Sequence, residues 1–324
     1  MLICFGTRPE YIKVKSLIDN IKDVKTCFTG QHHDLLKDIN CDYRMDFFNK
    51  TDNKLNNILI NNLSDYQFFK NIKFVLVQGD TTSAFGMALN AFHNNIKVIH
   101  LEAGLRTNDK LDPYPEELNR QLISKIADYH LCPTKKNMEN LHKENIYKNV
   151  FITGNTGLDN INKDDCYYGN KILITIHRRN NIDIIDKWFY EINKIASTNT
   201  DLEFILPMHP NPEIQKHRAI LKNVNVIEPL NHSNLITILK TVKFVISDSG
   251  GIQEEASFLN KKIIICRKTS ERDEIIGKHG IFCKCPSELN DIFNVINENY
   301  YINEECPFGD GNAYKKIIKI FNNL

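Results

Sequence analysis

KFVLVQGDTTSAFGMALNAFHNNIKVIHLEAGL, residues 73–105, holds a strand, a turn, a helix and a second strand in one unbroken run. KFVLV and KVIHL are short apolar runs rich in β-branched and aliphatic residues, bounded by turn-forming Gly, Asp and Asn. TTSAFGMALNAFHN between them has the length of a helix. A strand that returns through a helix pairs parallel to its predecessor by a right-handed crossover, so this stretch predicts a parallel α/β sheet. Both runs stop abruptly at polar residues, GDTTS after the first and EAGLRT after the second.

The same rhythm extends in both directions. LICF, KTCFT, YHLCP and VFIT read as further strands of the first half, with PEYIKVKSLIDNI and PEELNRQLISKIA as helices. It restarts after Asp164 with KILITI, LEFILP, VNVIEP, FVISD and KIIICR. In DKWFYEINKIA the spacing places Trp188, Phe189, Ile192 and Ile195 on one amphipathic face. The weakest apolar patterning, GLDNINKDDCYYGN at 157–170, predicts a hinge between a domain over 1–157 and a second over 158–309. A terminal helix over 310–324, with Ile317, Ile318 and Phe321 on one side, is expected to pack back on the first domain. Each half is then a doubly wound sheet, which binds ligands beyond the carboxyl ends of its strands, and two such sheets facing one another make a cleft.

Composition narrows the function. The 324 residues suit two domains, and 42% hydrophobic with 25% charged content is that of an ordinary globular protein. A net charge of +1 supplies no field to recruit nucleic acid or a membrane surface. No apolar run reaches membrane-spanning length, and MLICFGTRPE lacks the basic start of a signal peptide, so a cytoplasmic protein is expected. The nine cysteines, an odd number scattered through strand-like runs, read as reduced thiols.

The strand ends carry the chemistry. They lead into GTRPE (6–10), GQHH (30–33), GDTTS (79–83), EAGLRT (102–107), HRR (177–179), MHPNP (208–212) and DSGGIQEE (248–255). Charged residues flush against so many strand ends are hard to explain as solvated loop. In DSGGIQEE, Ser249, Gly250 and Gly251 stand where a strand turns into a helix, and a helix N-terminus there holds phosphate oxygens. The competing reading is a tight βα turn that needs glycine for its backbone. Glu255, one helical turn on, suits ribose hydroxyls, or is a solvated helix acid. Arg8 suits a phosphate or carboxylate through its two-pronged guanidinium, and Lys13 lies a turn further along the same helix. His177 beside Arg178 and Arg179 adds positive charge, and His209 stands between prolines. With no G-x-G-x-x-G and no Walker loop, nicotinamide cofactors and ATP are disfavoured.

The acids Asp80, Glu102 and Glu116 with Glu117 form the third group. Crowded carboxylates near apolar walls suit general acid and base roles. Glu116 also stands four residues before Arg120, as an intrahelical ion pair would. A divalent cation is the other use of such acids, but no His-rich or DxD-type cluster supports a metal.

Taken together, GTRPE, GDTTS, HLEAGLRT, PEELNR, HRR, DSGGIQEEA and TSER make the chain resemble the non-hydrolysing UDP-N-acetylglucosamine 2-epimerases over nearly its whole length. The resemblance implies two Rossmann-like domains in a GT-B-like fold, a homodimer, no cofactor, and reversible inversion at C2 of UDP-GlcNAc to UDP-ManNAc. It implies that Asp80, Glu102, Glu116 and His177 are catalytic. Ser249, Gly250, Gly251, Glu255, Arg8, Lys13, His209 and Arg272 would bind the UDP-sugar, with Leu230 and Leu235 at the uracil.

Three departures stand out. Asn180 replaces a usual glutamate, Asp273 a common proline, and NKTDNKLNNIL is short where relatives build an allosteric site for a second UDP-GlcNAc. Gln31 and His32 remain from that site; the shortening argues against substrate activation while leaving catalysis intact. The competing functions are the same chemistry on a UDP-linked 6-deoxy or modified 2-acetamido sugar, a hydrolysing relative, a GT-B glycosyltransferase and a nucleotide-sugar sensor. A transferase has no need of three acids in its acceptor half, and a sensor would have lost one or more of them.

Overall fold

The computed structural model describes residues 1–31, 39–64 and 66–323. The chain divides into two compact units, Met1–Asn160 with Phe308–Leu324, and Ile161–Pro307.

Among the described residues the first unit has seven strands: β1 (Leu2–Phe5), β2 (Lys25–Phe28), β3 (Tyr43–Arg44), β4 (Phe74–Gln78), β5 (Lys97–Leu101), β6 (Tyr129–Cys132) and β7 (Val150–Ile152). All pair in parallel, in the order β3-β2-β1-β4-β5-β6-β7. Helices α1 (Arg8–Asn20), α2 (Lys54–Asn62), α3 (Thr82–His93), α4 (Glu116–Ile126) and α5 (Lys135–Lys143) connect them. Successive strand residues point to opposite faces, and here both faces are covered. Ile3, Phe5, Leu76, Ile99 and Leu101 pack with Val14 and Leu17 of α1 on one side. Leu2, Cys4, Val75, Val77 and Val98 pack with Met87, Ala88 and Ala91 of α3 on the other.

The second unit repeats the design with β8 (Lys171–Thr175), β9 (Glu203–Pro207), β10 (Asn225–Ile227), β11 (Val242–Ser247), β12 (Ile263–Ile265) and β13 (Gly280–Phe282). They are parallel in the order β10-β9-β8-β11-β12-β13. Its helices are α6 (Arg179–Ile182), α7 (Ile185–Thr198), α8 (Pro212–Gln215), α9 (His232–Thr241), α10 (Gly250–Phe258) and α11 (Leu289–Glu298). Trp188, Phe189, Ile192 and Ile195 of α7 are all buried in the core with Phe204, Phe244 and Phe293. Two Rossmann-like units in one chain give the α/β class expected from the stretch at 73–105.

The terminal helix α12 (Ala313–Phe321) belongs to the first unit. Ile317 is buried there, and Tyr314, Ile320 and Phe321 pack beside it; Ile320, not Ile318, thus joins Ile317 and Phe321. The backbone N–H groups of Ala313 and Tyr314 both donate to the Asp159 carboxylate at 2.8 Å, so a side chain satisfies the open end of the helix.

The strand order reverses between β1 and β4 in the first unit and between β8 and β11 in the second. Ligands of open parallel sheets bind at such reversals, beyond the carboxyl ends. Arg8 and Asp80 come after the first pair of strands; His177 and Ser249 come after the second.

Candidate active site

In the first unit, α1 starts with a reciprocal cap. Thr7 Oγ1 accepts from Glu10 N at 3.4 Å, while Glu10 Oε2 accepts from Thr7 N at 2.6 Å and Gly6 N at 2.9 Å. The other oxygen, Oε1, accepts from Thr81 Oγ1 at 2.6 Å. Glu10 therefore ties the turn after β1 to the turn after β4, a role with no signal in GTRPE itself. Burial pushes its carboxyl above the ordinary range, against the lowering effect of these hydrogen bonds. Arg8, at the first helical position, is exposed.

The turn after β4 is held at every step. Gly79 is left-handed at φ 70°, and its carbonyl bonds His100 Nε2 at 2.8 Å. The Asp80 carbonyl accepts from Asn119 Nδ2 at 2.9 Å. The Asp80 carboxylate accepts from Arg120 Nε at 2.8 Å and lies 2.6 Å from Nη2. On the adjacent strand, Glu102 also takes a left-handed backbone, φ 66°, and is nearly buried. Its carboxylate accepts from Lys13 Nζ on one oxygen and from Gln78 Nε2 on the other. A Cβ on Gly79 would lie 3.5 Å from Glu102 Oε2, which measures how closely the two strand ends present their acids.

The neighbouring glutamates separate into two roles. Glu117 is fully buried and accepts from Thr107 N (3.0 Å), Asn108 N (3.2 Å), Gln121 Nε2 (3.1 Å) and Arg120 Nη1 (3.1 Å). Glu116, the first residue of α4, is half-buried. Arg106 of EAGLRT is structural too: its guanidinium is buried and takes Glu144 in two hydrogen bonds of 2.6 and 3.0 Å. Gln31 accepts from Ser83 N at 3.1 Å; His32 lies outside the described residues.

In the second unit a buried carboxylate missed in the sequence organises the turn after β8. Asp248 accepts from His177 N (3.0 Å), Arg178 N (2.8 Å) and Asn181 Nδ2 (2.9 Å). Asn181 is fixed in turn by Trp188 Nε1 at 3.2 Å. The His177 ring stacks on His209, centroids 5.0 Å apart and planes 10° apart. Loss of hydration in the stack, and then the His177 charge, hold the His209 imidazole below its ordinary pKa.

Ser249 caps α10, accepting from Ile252 N at 3.5 Å. The two glycines that open the helix differ: a Cβ on Gly250 would meet Arg272 Nη1 at 2.7 Å, while one on Gly251 meets nothing within 4 Å. Arg272 is buried, with Nε on Glu254 at 2.6 Å and Nη1 on Glu271. Its guanidinium therefore braces the loop under Gly250. The Glu255 carboxylate accepts from His232 Nε2 at 2.7 Å. Leu230 and Leu235, both half-buried, flank Asn231, the capping residue of α9. Asn180 lies in α6, and Asp273 opens a short 3-10 turn, Asp273–Ile275.

Among the described residues no cluster of three His, Cys, Asp or Glu side chains is placed to hold a metal ion. No helix of the described residues is long and apolar enough to cross a membrane. All nine cysteines are free thiols.

The family model described as UDP-N-acetylglucosamine 2-epimerase matches residues 17–322 of the chain. The UDP-N-acetylglucosamine 2-epimerase of Campylobacter jejuni is 36% identical, covering 99% of this chain and 96% of the relative. That of Salmonella borreze is 35% identical, covering 100% of this chain and 98% of its own. The crystal structure of the Neisseria meningitidis UDP-GlcNAc 2-epimerase bound to UDP-GlcNAc superposes with a TM-score of 0.89 at 31% identity, over 100% of this chain and 99% of the other.

Proposed function

The chain belongs to the UDP-N-acetylglucosamine 2-epimerase family and is therefore an isomerase, and from that premise we propose that it interconverts UDP-GlcNAc and UDP-ManNAc. The C2 proton of an acetal sugar is too weakly acidic for a carboxylate to remove directly. Breaking the anomeric C–O bond first, with UDP leaving with the electron pair, builds an oxocarbenium ion that acidifies C2–H. A carboxylate then takes the proton, leaving a 2-acetamidoglucal. Return of UDP to C1, with protonation of C2 from the opposite face, gives the epimer. Atoms and charge balance without any redox cofactor.

The single observation that carries this reading is the presentation of two acids side by side, Asp80 on Arg120 and Glu102 on Lys13, at adjacent strand ends. An ion-paired carboxylate fixed by two donors is a pre-positioned proton acceptor, and such groups contribute about 10²–10⁴-fold each. Glu116 is the third acid, while the structural duties at this helix start fall to Glu117. In the second unit His177 and Ser249–Gly251 bind and stabilise the departing diphosphate, and Glu255 and Leu230 with Leu235 hold ribose and uracil. Arg8, Lys13 and His209 complete the set of residues assigned to the UDP-sugar.

The test is incubation with UDP-GlcNAc in D2O, monitored at C2 by proton NMR. Deuterium at C2 in intact UDP-sugar, with UDP-ManNAc accumulating, is the expected result. Release of free UDP without exchange would sink the assignment in favour of hydrolysis or transfer.

We further infer a cytoplasmic homodimer acting on nucleotide sugars for polysaccharide synthesis. Leu118 and Leu122, one turn apart on α4, leave large apolar side chains exposed, as contact with a second copy would use. Sedimentation at micromolar concentration tests it: a monomer would overturn the dimer.

A further inference from the structure

His100 lies in the core of β5, two residues before Glu102, and is fully buried. A histidine in a parallel strand is usually a satisfied core group. This one is only half satisfied. Its Nε2 bonds the Gly79 carbonyl at 2.8 Å, while Nδ1 has no hydrogen-bond partner among the described residues. Gly79 is the left-handed residue that turns the chain from β4 into Asp80. The rest of that turn is held by Asn119 on the Asp80 carbonyl and by Glu10 on Thr81. At the start of the turn Gly79 N donates to the Leu101 carbonyl at 2.9 Å, and His100 supplies the side-chain contact, from the same strand that leads into Glu102.

Resting on the proposed C2 chemistry, we propose that His100 is a positioning residue: its Nε2–H holds the Gly79 carbonyl and thereby fixes Asp80 relative to Glu102. The bond requires the tautomer with hydrogen on Nε2, since a carbonyl oxygen can only accept. A second proton on Nδ1 would have no acceptor, so the geometry alone selects the neutral ring. Its surroundings agree. Burial, first, lowers its pKa to about 3, and neighbouring His130 on β6 and the Arg106 guanidinium lower it too, while Asp80 and the Gly79 carbonyl act the other way. His130, the registered partner on β6, is itself lowered to about 4, mainly by burial. A cation behind the acids would compete with Arg120 and Lys13 for their carboxylates; the neutral ring positions the turn without doing so.

His100→Leu removes the donor, and His100→Gln restores an N–H close to the Nε2 position. The expected result is a fall in kcat of about 10–100-fold for the leucine variant, the scale of a small misplacement of a catalytic group. KM should change by less than about threefold, with recovery to within about fivefold of wild type in the glutamine variant. Full activity in His100→Leu, or equal impairment of both variants, overturns the proposal. A readout independent of the reaction is 15N-histidine NMR, with His100 identified by its loss in His100→Gln. A neutral Nε2–H ring, unchanged between pH 5 and 9, is expected; titration in that window or the Nδ1–H tautomer overturns the proposal even if the leucine variant fails to fold. Should wild-type enzyme exchange no deuterium at C2, the NMR result still decides the ring's bonding, so failure of the functional reading remains separable.

Discussion

Gly79 and Glu102 take the same left-handed backbone, φ 70° and 66°, at the ends of the paired strands β4 and β5. Glycine adopts this conformation freely, whereas a glutamate there costs on the order of 1–2 kcal/mol. The sheet and the two donors on its carboxylate hold Glu102 in place. Residues so held concentrate where geometry serves chemistry. Glu102→Gln keeps the shape and removes the proton acceptor. Deuterium exchange at C2 should fall by at least about 10²-fold while UDP affinity, measured by calorimetry, stays within about threefold. Comparable loss of both would refute a proton-transfer role.

Glu116 and Glu117 invite the opposite experiment. Glu117→Gln disturbs a buried acceptor of four donors, one of them Arg120, and should destabilise the fold by about 3 kcal/mol. Glu116→Gln should shift the urea midpoint less than Glu117→Gln does and lower kcat by about 10²-fold or more, on the scale of general acid–base loss. Reversal of the two phenotypes would exchange their roles.

The glycines make a second contrast. Gly104 is left-handed at φ 87°, and an added Cβ would be driven into the Asn137 carbonyl of α5. Gly104→Ala should lose about 2–4 kcal/mol of stability or fail to fold. Gly251→Ala meets open space, so the fold should be retained. If a diphosphate rests on that helix start, the added methyl should weaken UDP binding by about tenfold or more; unchanged affinity would move the anion elsewhere.

Two histidines set a pH dependence of stability. His100 and His130 are depressed to about 3 and about 4 in the folded protein, chiefly by burial, below their unfolded value of about 6.5. The unfolded chain therefore binds their protons first. Their contribution is complete above about pH 6.5 and is lost as pH falls toward the folded values. Urea unfolding between pH 7 and pH 5 should steepen toward about 1.4 kcal/mol per pH unit for each histidine, and His100→Gln should remove its share. A flat profile in wild type would mean these rings are not neutral in the core.

The apolar runs at 73–105 announce their strands because both faces of a parallel sheet are buried, leaving no polar interruption to read. β3, two residues long, and β13, which begins at Gly280, have no such run and leave no mark in the sequence. The candidate acids are visible because they stand flush against strand ends. What pattern cannot say is which of two adjacent acids turns inward: Glu116 and Glu117 differ by about 100° around the helix, and only the packing of α4 decides. The supports are equally silent. Glu10, Gln78, Asp248 and Asn181 are ordinary polar letters until the fold brings donors to them. Asp248 could have been suspected as the first residue of DSGGIQEE, flush against β11.

Asp159 receives the start of α12, while Asn155 N donates to Phe308 O at 2.8 Å, so the outgoing and returning chain run side by side within the first unit. Topologically, 161–307 is an insertion into a fold whose closing piece is made after it. On the ribosome the inserted unit has its whole sequence before the outer one does. The earlier-started half, with its acids, shares its core with the later-made Ile317, which packs in one cluster with Val14 and Leu17.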